Sequence, residues 1–429
     1  MGYKTEFHLH TKYSKDSCMG KFALLMMCKL KGLNCIAITD HNEVQAALNW
    51  FSFFRQRGIK VIVGEEVFTK EGEVIGLFLY KRIAAGLSIE QTVAEIRRQG
   101  GVVYVPHPYD EKRYKTILKS EALSRVSSQV DCIEIHNGRN ISLDFDKKQK
   151  EISERYCLPA IVGGDSHVFF EVGRNACETD ECFEAENFGD VLASAKLNSS
   201  PCIKFSHTVT KFVRVGKKLW HPQPKEFIEM RFEDVKIASE MLQKLVSDEY
   251  EPDCIVYLAK GGFLIGEEIG RLFDVPVFAL SSHRSGEGLK KSASSVLSRL
   301  PRFIKSGLRR TELLLRTSRG SKNDSQEASL CFLSEPKGDY RSILIVDDSV
   351  DSGASMAAAV SLIRSKFPSS EVKTAALNVF PPSEKTMSVD FWLYRNCLLS
   401  LPSSKDNPDF EAFKEEWGRE IEKLKEARG

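Results

Sequence analysis

The sequence predicts an α/β protein in two units, a distorted β/α barrel followed by a doubly wound parallel sheet. Three observations carry this. From Lys4 to about Val162, short apolar runs alternate with amphipathic helical patterns, the rhythm of repeated β-α units. Six of the nine histidines fall before residue 170, each near the end of such a run, as expected for a site at the carboxyl mouth of a barrel. Beyond the polar, proline-containing stretch Trp220 to Lys225 a second β-α series contains a fully apolar run, Ile343 to Val346, that ends in two aspartates. A chain of 429 residues also exceeds what one hydrophobic core usually supports.

In the first unit the expected strands are Thr5 to His8, Cys35 to Thr39, Lys60 to Val63, Val102 to Val105, Cys132 to Ile135 and Ala160 to Val162. Helices over Phe22 to Lys31, Val44 to Arg57, Ile89 to Gln99 and Phe145 to Tyr156 separate them, and a hairpin at Glu73 to Tyr80 interrupts the series. The second unit opens with a helix at Glu233 to Ser247, then strand Cys254 to Leu258, helix Leu264 to Leu272 and strand Val277 to Leu280. After a long insert come strand Ser342 to Val346, helix Ser355 to Lys366 and strand Val372 to Leu377. The boundaries read as 1–212 and 222–415, with the insert at 284–335.

The composition is that of an ordinary globular protein, 42% hydrophobic and 28% charged, and the net charge of +2 gives no reason to expect an obligatory nucleic-acid or membrane partner. No apolar stretch approaches the roughly 18 residues needed to span a bilayer. The amino terminus carries Lys4 and Glu6 and enters a strand at once, unlike a signal peptide, and Glu6 breaks the myristoylation pattern begun by Gly2. Eleven scattered cysteines, many inside apolar runs, read as reduced thiols of a cytoplasmic protein.

The histidine clusters are His8-Leu9-His10, Asp40-His41, His107-Pro108, Glu134-Ile135-His136-Asn137 and Asp165-Ser166-His167. Neutral imidazoles and hard carboxylates projecting from several strand ends toward one point are how a chain assembles a multinuclear metal site. Any single histidine on an apolar strand is as readily a satisfied core residue, but six in the same strand-end position are hard to explain by packing. The order His-x-His, Asp16, Thr-Asp-His, Gly-x-Glu, His-Pro, a mid-chain His and Gly-Asp-Ser-His resembles the PHP phosphoesterases over roughly residues 1 to 210. The resemblance implies hydrolysis of a phosphoester and a ligand set of His8, His10, Asp16, His41, Glu66, His107, His136, Asp165 and His167, with His41 and Asp165 also catalytic. Two or three divalent ions are expected, zinc, manganese or iron, because imidazole is prominent. Glu66 is preferred to Glu65 on the Gly-x-Glu pattern; at the mid-chain position Glu134 and Asn137 stay open as alternatives, since strand alternation puts Glu134 and His136 on one face. Arg139 is read as a solvated loop arginine more readily than as a phosphate ligand.

Residues Ile343 to Ser355 read I-L-I-V-D-D-S-V-D-S-G-A-S. Asp347 and Asp348 at a strand end suit ribose hydroxyls, and backbone amides of Asp351, Ser352, Gly353 and Ser355 at a helix start suit a monophosphate. The segment resembles the phosphoribosyl pyrophosphate (PRPP) motif of type I phosphoribosyltransferases. Lys260-Gly261-Gly262 resembles that family's pyrophosphate loop, and Arg284 falls where it places a further phosphate contact. The resemblance implies Asp351 as a catalytic carboxylate, magnesium bound with PRPP, and a base stacked on Phe391 or Trp392. Where the 6-oxopurine enzymes place a purine-contacting lysine, this chain has Phe380.

The insert carries eleven lysines or arginines over residues 284–322 against Glu287 and Glu312. A solvated loop over the active site, a nucleic-acid contact and a docking helix for a protein partner all stay open. The expectation is a bifunctional enzyme of nucleotide metabolism acting on nucleotide or phosphoribosyl small molecules, with no membrane and with a homo-oligomer left open. The alternative is a nuclease or signalling-nucleotide hydrolase whose second unit only senses PRPP or nucleotides.

Overall fold

The computed structural model describes residues 2–219, 226–283, 329–336 and 338–426, which fall into two units, Met1–Gln223 and Pro224–Gly429. The basic insert 284–322, with Arg284, lies outside the described residues.

The first unit is a closed barrel. Its strands are β1 (Tyr3–Leu9), β2 (Cys35–Ile38), β3 (Lys60–Thr69), β4 (Gly72–Leu77), β5 (Val102–Val105), β6 (Cys132–Asn137) and β7 (Ala160–Ser166). They pair in the order β2-β3-β4-β5-β6-β7-β1, and a β1–β2 pairing closes the ring. All pairings in the ring are parallel except those of β4, which runs antiparallel to both β3 and β5; this hairpin distorts the barrel. Two short strands, β8 (Ala176–Thr179) and β9 (Lys196–Asn198), extend the sheet from β1.

Helices follow most of the strands, two of them with clear end signals. Between β1 and β2, α1 (Lys21–Lys31) ends at Gly32 in the left-handed region, φ 67°. Next come α2 (Gln45–Arg55) and α3 (Ile89–Arg98). The latter starts with a capping box of Ser88 and Gln91 and buries Ile89, Val93 and Ile96 at helical spacing. The remaining helices of this unit are α4 (Ser120–Val126), α5 (Leu143–Tyr156), α6 (Phe188–Ala193) and α7 (Lys204–Leu219). Phe7, Ala37, Ile62, Ile75, Tyr104 and Ile161 belong to one core cluster.

The second unit has β10 (Phe227–Glu229), α8 (Phe232–Ser247), β11 (Cys254–Ala259), α9 (Phe263–Phe273), β12 (Val277–His283) and β13 (Ser329–Phe332). It continues with β14 (Ser342–Val350), α10 (Ala354–Lys366), β15 (Glu371–Val379), β16 (Phe391–Arg395), β17 (Leu398–Ser400) and α11 (Phe410–Glu426). The sheet order is β13-β12-β11-β14-β15-β16, parallel except for the β13 edge, so the chain reverses its direction of winding between β11 and β14. Such a switch point leaves a crevice outside the strand ends, the usual ligand position in an open α/β sheet. All eleven cysteines are free thiols, and no helix among the described residues is long and apolar enough to cross a membrane.

Candidate functional site

Barrel alternation alone would not aim the ligands. Register shifts lie between Glu6 and Leu9 on β1 and between Phe7 and Leu9 in its pairing with β7, marking bulges at the strand ends that carry His8 and Asp165. His8 (φ 64°), His107 (φ 28°) and Asp165 (φ 49°) all lie in the left-handed region, which residues other than glycine seldom adopt and which functional sites concentrate.

Glu66 is the centre of the resulting cluster. Its Oε1 lies 3.4 Å from His8 Nε2 and 3.0 Å from His107 Nε2, and its Oε2 lies 3.3 Å from His10 Nε2 and 2.9 Å from His41 Nδ1. Asp165 Oδ1 faces His8, His10 and His167 at 3.6, 3.5 and 3.3 Å. Asp16 Oδ1 lies 3.6 Å from His41 Nε2 and 3.4 Å from His167 Nε2. Eight of the nine residues expected from the sequence are thus brought together: His8, His10, Asp16, His41, Glu66, His107, Asp165 and His167. Of the adjacent carboxylates, Glu66 faces the cluster, while Glu65 accepts the Ile83 amide at 2.8 Å.

His136 is not brought in. A register shift in β6 between Glu134 and His136 breaks the alternation expected to place them on one face. His136 Nδ1 instead meets Asp146 Oδ2 at 2.8 Å and Nε2 meets the Ser200 carbonyl at 3.2 Å. Glu134 stays inside but acts behind the cluster: it meets His8 Nδ1 at 2.7 Å, accepts the His107 amide at 2.6 Å and Asn137 Nδ2 at 2.8 Å, and accepts the Tyr104 hydroxyl. A carboxylate on the far nitrogen of an imidazole fixes its tautomer and orientation. Asp40 accepts from the amides of Thr11 and Ser14, at 2.7 and 3.1 Å, and so shapes the loop that leads to Asp16.

Several residues here escaped the sequence reading. Glu73 on β4 is buried, with its carboxylate 3.8 Å from His41 Nδ1 and 3.7 Å from His107 Nε2. Arg113 pairs with Asp165 at 2.6 Å and Asp110 at 3.2 Å, and Arg214 on α7 pairs with Asp16 at 2.8 Å. Arg139 is not a solvated arginine: it is 5% exposed and donates to Thr210 Oγ1 at 2.9 Å, while its Nη1 has no hydrogen-bond partner. Cover from His207 and Thr210 on α7 and from Glu171 was not visible in a short polar loop.

The electrostatics are those of crowded opposite charges. Burial and the neighbouring charges of His167 and His41 push His10 down to about 4. Burial works to raise Glu66 and Asp165, but His8 and His41 outweigh it at Glu66, and Arg113 and His8 at Asp165, holding both well below the usual carboxylate range. Burial and the nearby Glu66 charge push Glu73 up to about 7. Nε2 of His8 and His10, Oδ1 of Asp16 and Oε2 of Glu66 are buried without a hydrogen-bond partner. Native interiors rarely leave such atoms unpaired. Inward imidazole nitrogens and carboxylate oxygens, grouped within 4.8 Å as His10-His41-His167, His8-His10-Glu66 and His8-His107-Asp165, fit divalent metal ions.

In the second unit both expected loops flank the switch point. Asp347 and Asp348 end the apolar part of β14, and the Asp348 amide donates to Asp347 Oδ1 at 2.9 Å. Burial, with mutual repulsion at Asp347, pushes both carboxyls up. Asp351 and Ser352 follow, and Gly353 (φ 81°) caps α10, which begins one residue before Ser355. Across the crevice Lys260, Gly261 and Gly262 link β11 to α9. A β-carbon on Gly261 would lie 2.6 Å from the Asp348 carboxyl, so only glycine lets the loops approach this closely. The Lys260 ammonium is drawn away, over the rings of Phe410 and Phe413 at 5.3 and 5.2 Å. Phe391 and Trp392 cannot both meet a base: adjacent strand residues face opposite ways, and Phe391 is buried while Trp392 is 36% exposed. Trp392 lies in one register row with Ala376 and Asp347.

Comparison with known proteins agrees with this division. A family model described as PHP domain matches residues 6–156, and one described as phosphoribosyl transferase domain matches residues 231–398. An uncharacterized protein of Methanocaldococcus jannaschii is 40% identical over 173 residues, covering 36% of this chain and 97% of that protein. A second from the same organism is 34% identical over 172 residues, 40% of this chain and 68% of that one. Among solved structures, a purine phosphoribosyltransferase from Pyrococcus horikoshii is 16% identical at a TM-score of 0.29, covering 42% of this chain and 95% of its own.

Proposed function

Because the chain belongs to the PHP domain family over residues 6–156 and to the phosphoribosyl transferase domain family over residues 231–398, we propose that it is a bifunctional enzyme of nucleotide metabolism. The barrel hydrolyses a phosphoester of a nucleotide or phosphoribosyl compound, and the second unit transfers a phosphoribosyl group from PRPP to a purine-like base. The observation that carries the reading is the set of buried, unpartnered donor atoms around Glu66 at the barrel mouth.

Zinc, manganese or iron held by His8, His10, Asp16, His41, Glu66, His107, Asp165 and His167 would supply a water activated near neutral pH and neutralise phosphoryl oxygens. The chain's own residues do the rest. Glu134 and the Asp40-ordered loop fix the imidazoles and Asp16 in place, and Arg113 brings a guanidinium to the mouth, suited to a substrate phosphate. In the second unit Asp347 and Asp348 take the ribose hydroxyls of PRPP with magnesium. The amides of Asp351 to Ser355 take its 5′-phosphate, the loop Lys260 to Gly262 its pyrophosphate, and Trp392 the base.

Phe380 favours a second reading, in which this unit only senses PRPP: it is buried where a base-contacting lysine is expected. One experiment separates the two. The purified chain is incubated with PRPP and a panel of bases, and pyrophosphate and free phosphate are measured separately. Base-dependent pyrophosphate release supports transfer; PRPP binding with no pyrophosphate from any base supports sensing. Metal-dependent phosphate release from nucleotides tests the barrel, and its absence with every divalent ion refutes the hydrolase.

A further inference from the structure

We propose that Glu73 is a further metal ligand of the barrel site, beside Glu66, His41 and His107. This rests on the metal-centre reading above. The bulge in β6 carries His136 away, and both its ring nitrogens are engaged, with Asp146 at 2.8 Å and the Ser200 carbonyl at 3.2 Å. It therefore presents no donor to the cluster.

Glu73 lies against the donors that do converge. It comes from β4, the antiparallel strand of the barrel, opposite Phe68 of β3, and is 7% exposed. Its oxygens lie 3.8 Å from His41 Nδ1 and 3.7 Å from His107 Nε2, the imidazoles that also contact Glu66. Glu66 Oε2 is buried on the same side, 2.9 Å from His41 Nδ1, and donor atoms of His41, Glu66 and Glu73 lie within 4.8 Å of one another. Two facing carboxylates in a low-dielectric interior repel, and a shared divalent cation turns that repulsion into ligation. A carboxylate in place of an imidazole also hardens the donor set, shifting its relative preference from zinc toward manganese or iron.

The test uses the full-length chain, stripped with a chelator and reloaded with Mn(II). Bound metal is counted after gel filtration and affinity is measured by calorimetry. Glu73→Gln preserves size and removes the charge; it should hold one equivalent fewer than wild type, or hold that equivalent at least about ten-fold more weakly. His136→Gln should keep every equivalent. Unchanged content and affinity in Glu73→Gln, or an equivalent lost in His136→Gln, overturns the assignment. Wild type that takes up neither Mn(II) nor Zn(II) refutes the metal centre itself, a separate outcome. If Glu73→Gln loses its circular dichroism, Glu73→Asp replaces it, with Co(II) as probe: a visible spectrum identical to wild type overturns the proposal, and a changed one supports it.

Discussion

Gly163→Ala is the sharpest probe of how the imidazoles are held. A β-carbon at this position would lie 1.8 Å from Glu134 Oε1, whereas real contacts stay at 3.0 Å or more, so the carboxylate has to retreat by the difference. Its hydrogen bonds to His8 Nδ1 (2.7 Å) and the His107 amide (2.6 Å) do not survive such a move. Overpacking alone costs about 1–3 kcal/mol. Each charge-assisted hydrogen bond lost from a buried carboxylate adds roughly 1.5–3 kcal/mol. The expected destabilisation is therefore about 4–9 kcal/mol, with metal affinity down by about 10–100-fold because the outer partner of His8 is displaced. Urea unfolding of the full chain and Mn(II) titration read the two effects. Adding Glu134→Ala to Gly163→Ala relieves the collision, so the double variant should be less destabilised than the two single costs added. A Gly163→Ala protein within about 0.5 kcal/mol of wild type and with unchanged metal affinity would refute the reasoning.

Gly261→Ala should drive its methyl group into the Asp348 carboxyl and lower PRPP affinity by at least about ten-fold while leaving barrel hydrolysis intact; equal PRPP affinity by calorimetry contradicts the close approach. Burial pushes Glu6 up to about 8 from the ordinary 4.5, so the native state holds this proton more tightly than the unfolded chain does. The stability it contributes is full below about 4.5 and is lost as pH rises toward 8, a change of a few kcal/mol at about 1.4 kcal/mol per pH unit. The wild-type urea midpoint should therefore fall relative to Glu6→Gln across that window, and a constant difference counts against it. Trp392→Ala should raise KM for the base with little change in the thermal midpoint, whereas Phe391→Ala should cost about 3–5 kcal/mol of stability. Equal thermal midpoints for the two variants would contradict the assigned faces.

The order of the candidate ligands was legible because most His or Asp motifs close an apolar run, and strand ends are where barrels and doubly wound sheets gather polar side chains. Eight residues spread from His8 to His167 converge as that rule expects. It failed at His136, because alternation holds only while the register does, and the bulge between Glu134 and His136 leaves no signature in Glu-Ile-His. Glu73 was hidden for a related reason: it sits inside a hairpin that reads as an interruption of the barrel rather than part of its wall. The arginines at the mouth arrive from a loop and from α7, and pairing between residues as distant as Arg214 and Asp16 is carried by tertiary structure alone. Strands of three or four residues, such as β9, β10 and β17, are too short to show a period.

Helix α7 sets where this unit can be cut without losing its hold on the Asp16 loop. All three donor hydrogens of the Lys217 ammonium are matched by carbonyls of one loop, those of Lys12, Ser14 and Ser17, at 2.7, 2.6 and 2.5 Å. Arg214, one turn earlier, holds Asp16 from the same loop. A gene cut at residue 212 discards both clamps and leaves the Asp16 loop without its cationic scaffold, although every strand of the ring is retained. A fragment that keeps both clamps has to run into the last turn of α7, which ends at Leu219, well past the last strand. The shortest fragment that retains this hold is thus set by a helix that contributes nothing to the ring itself.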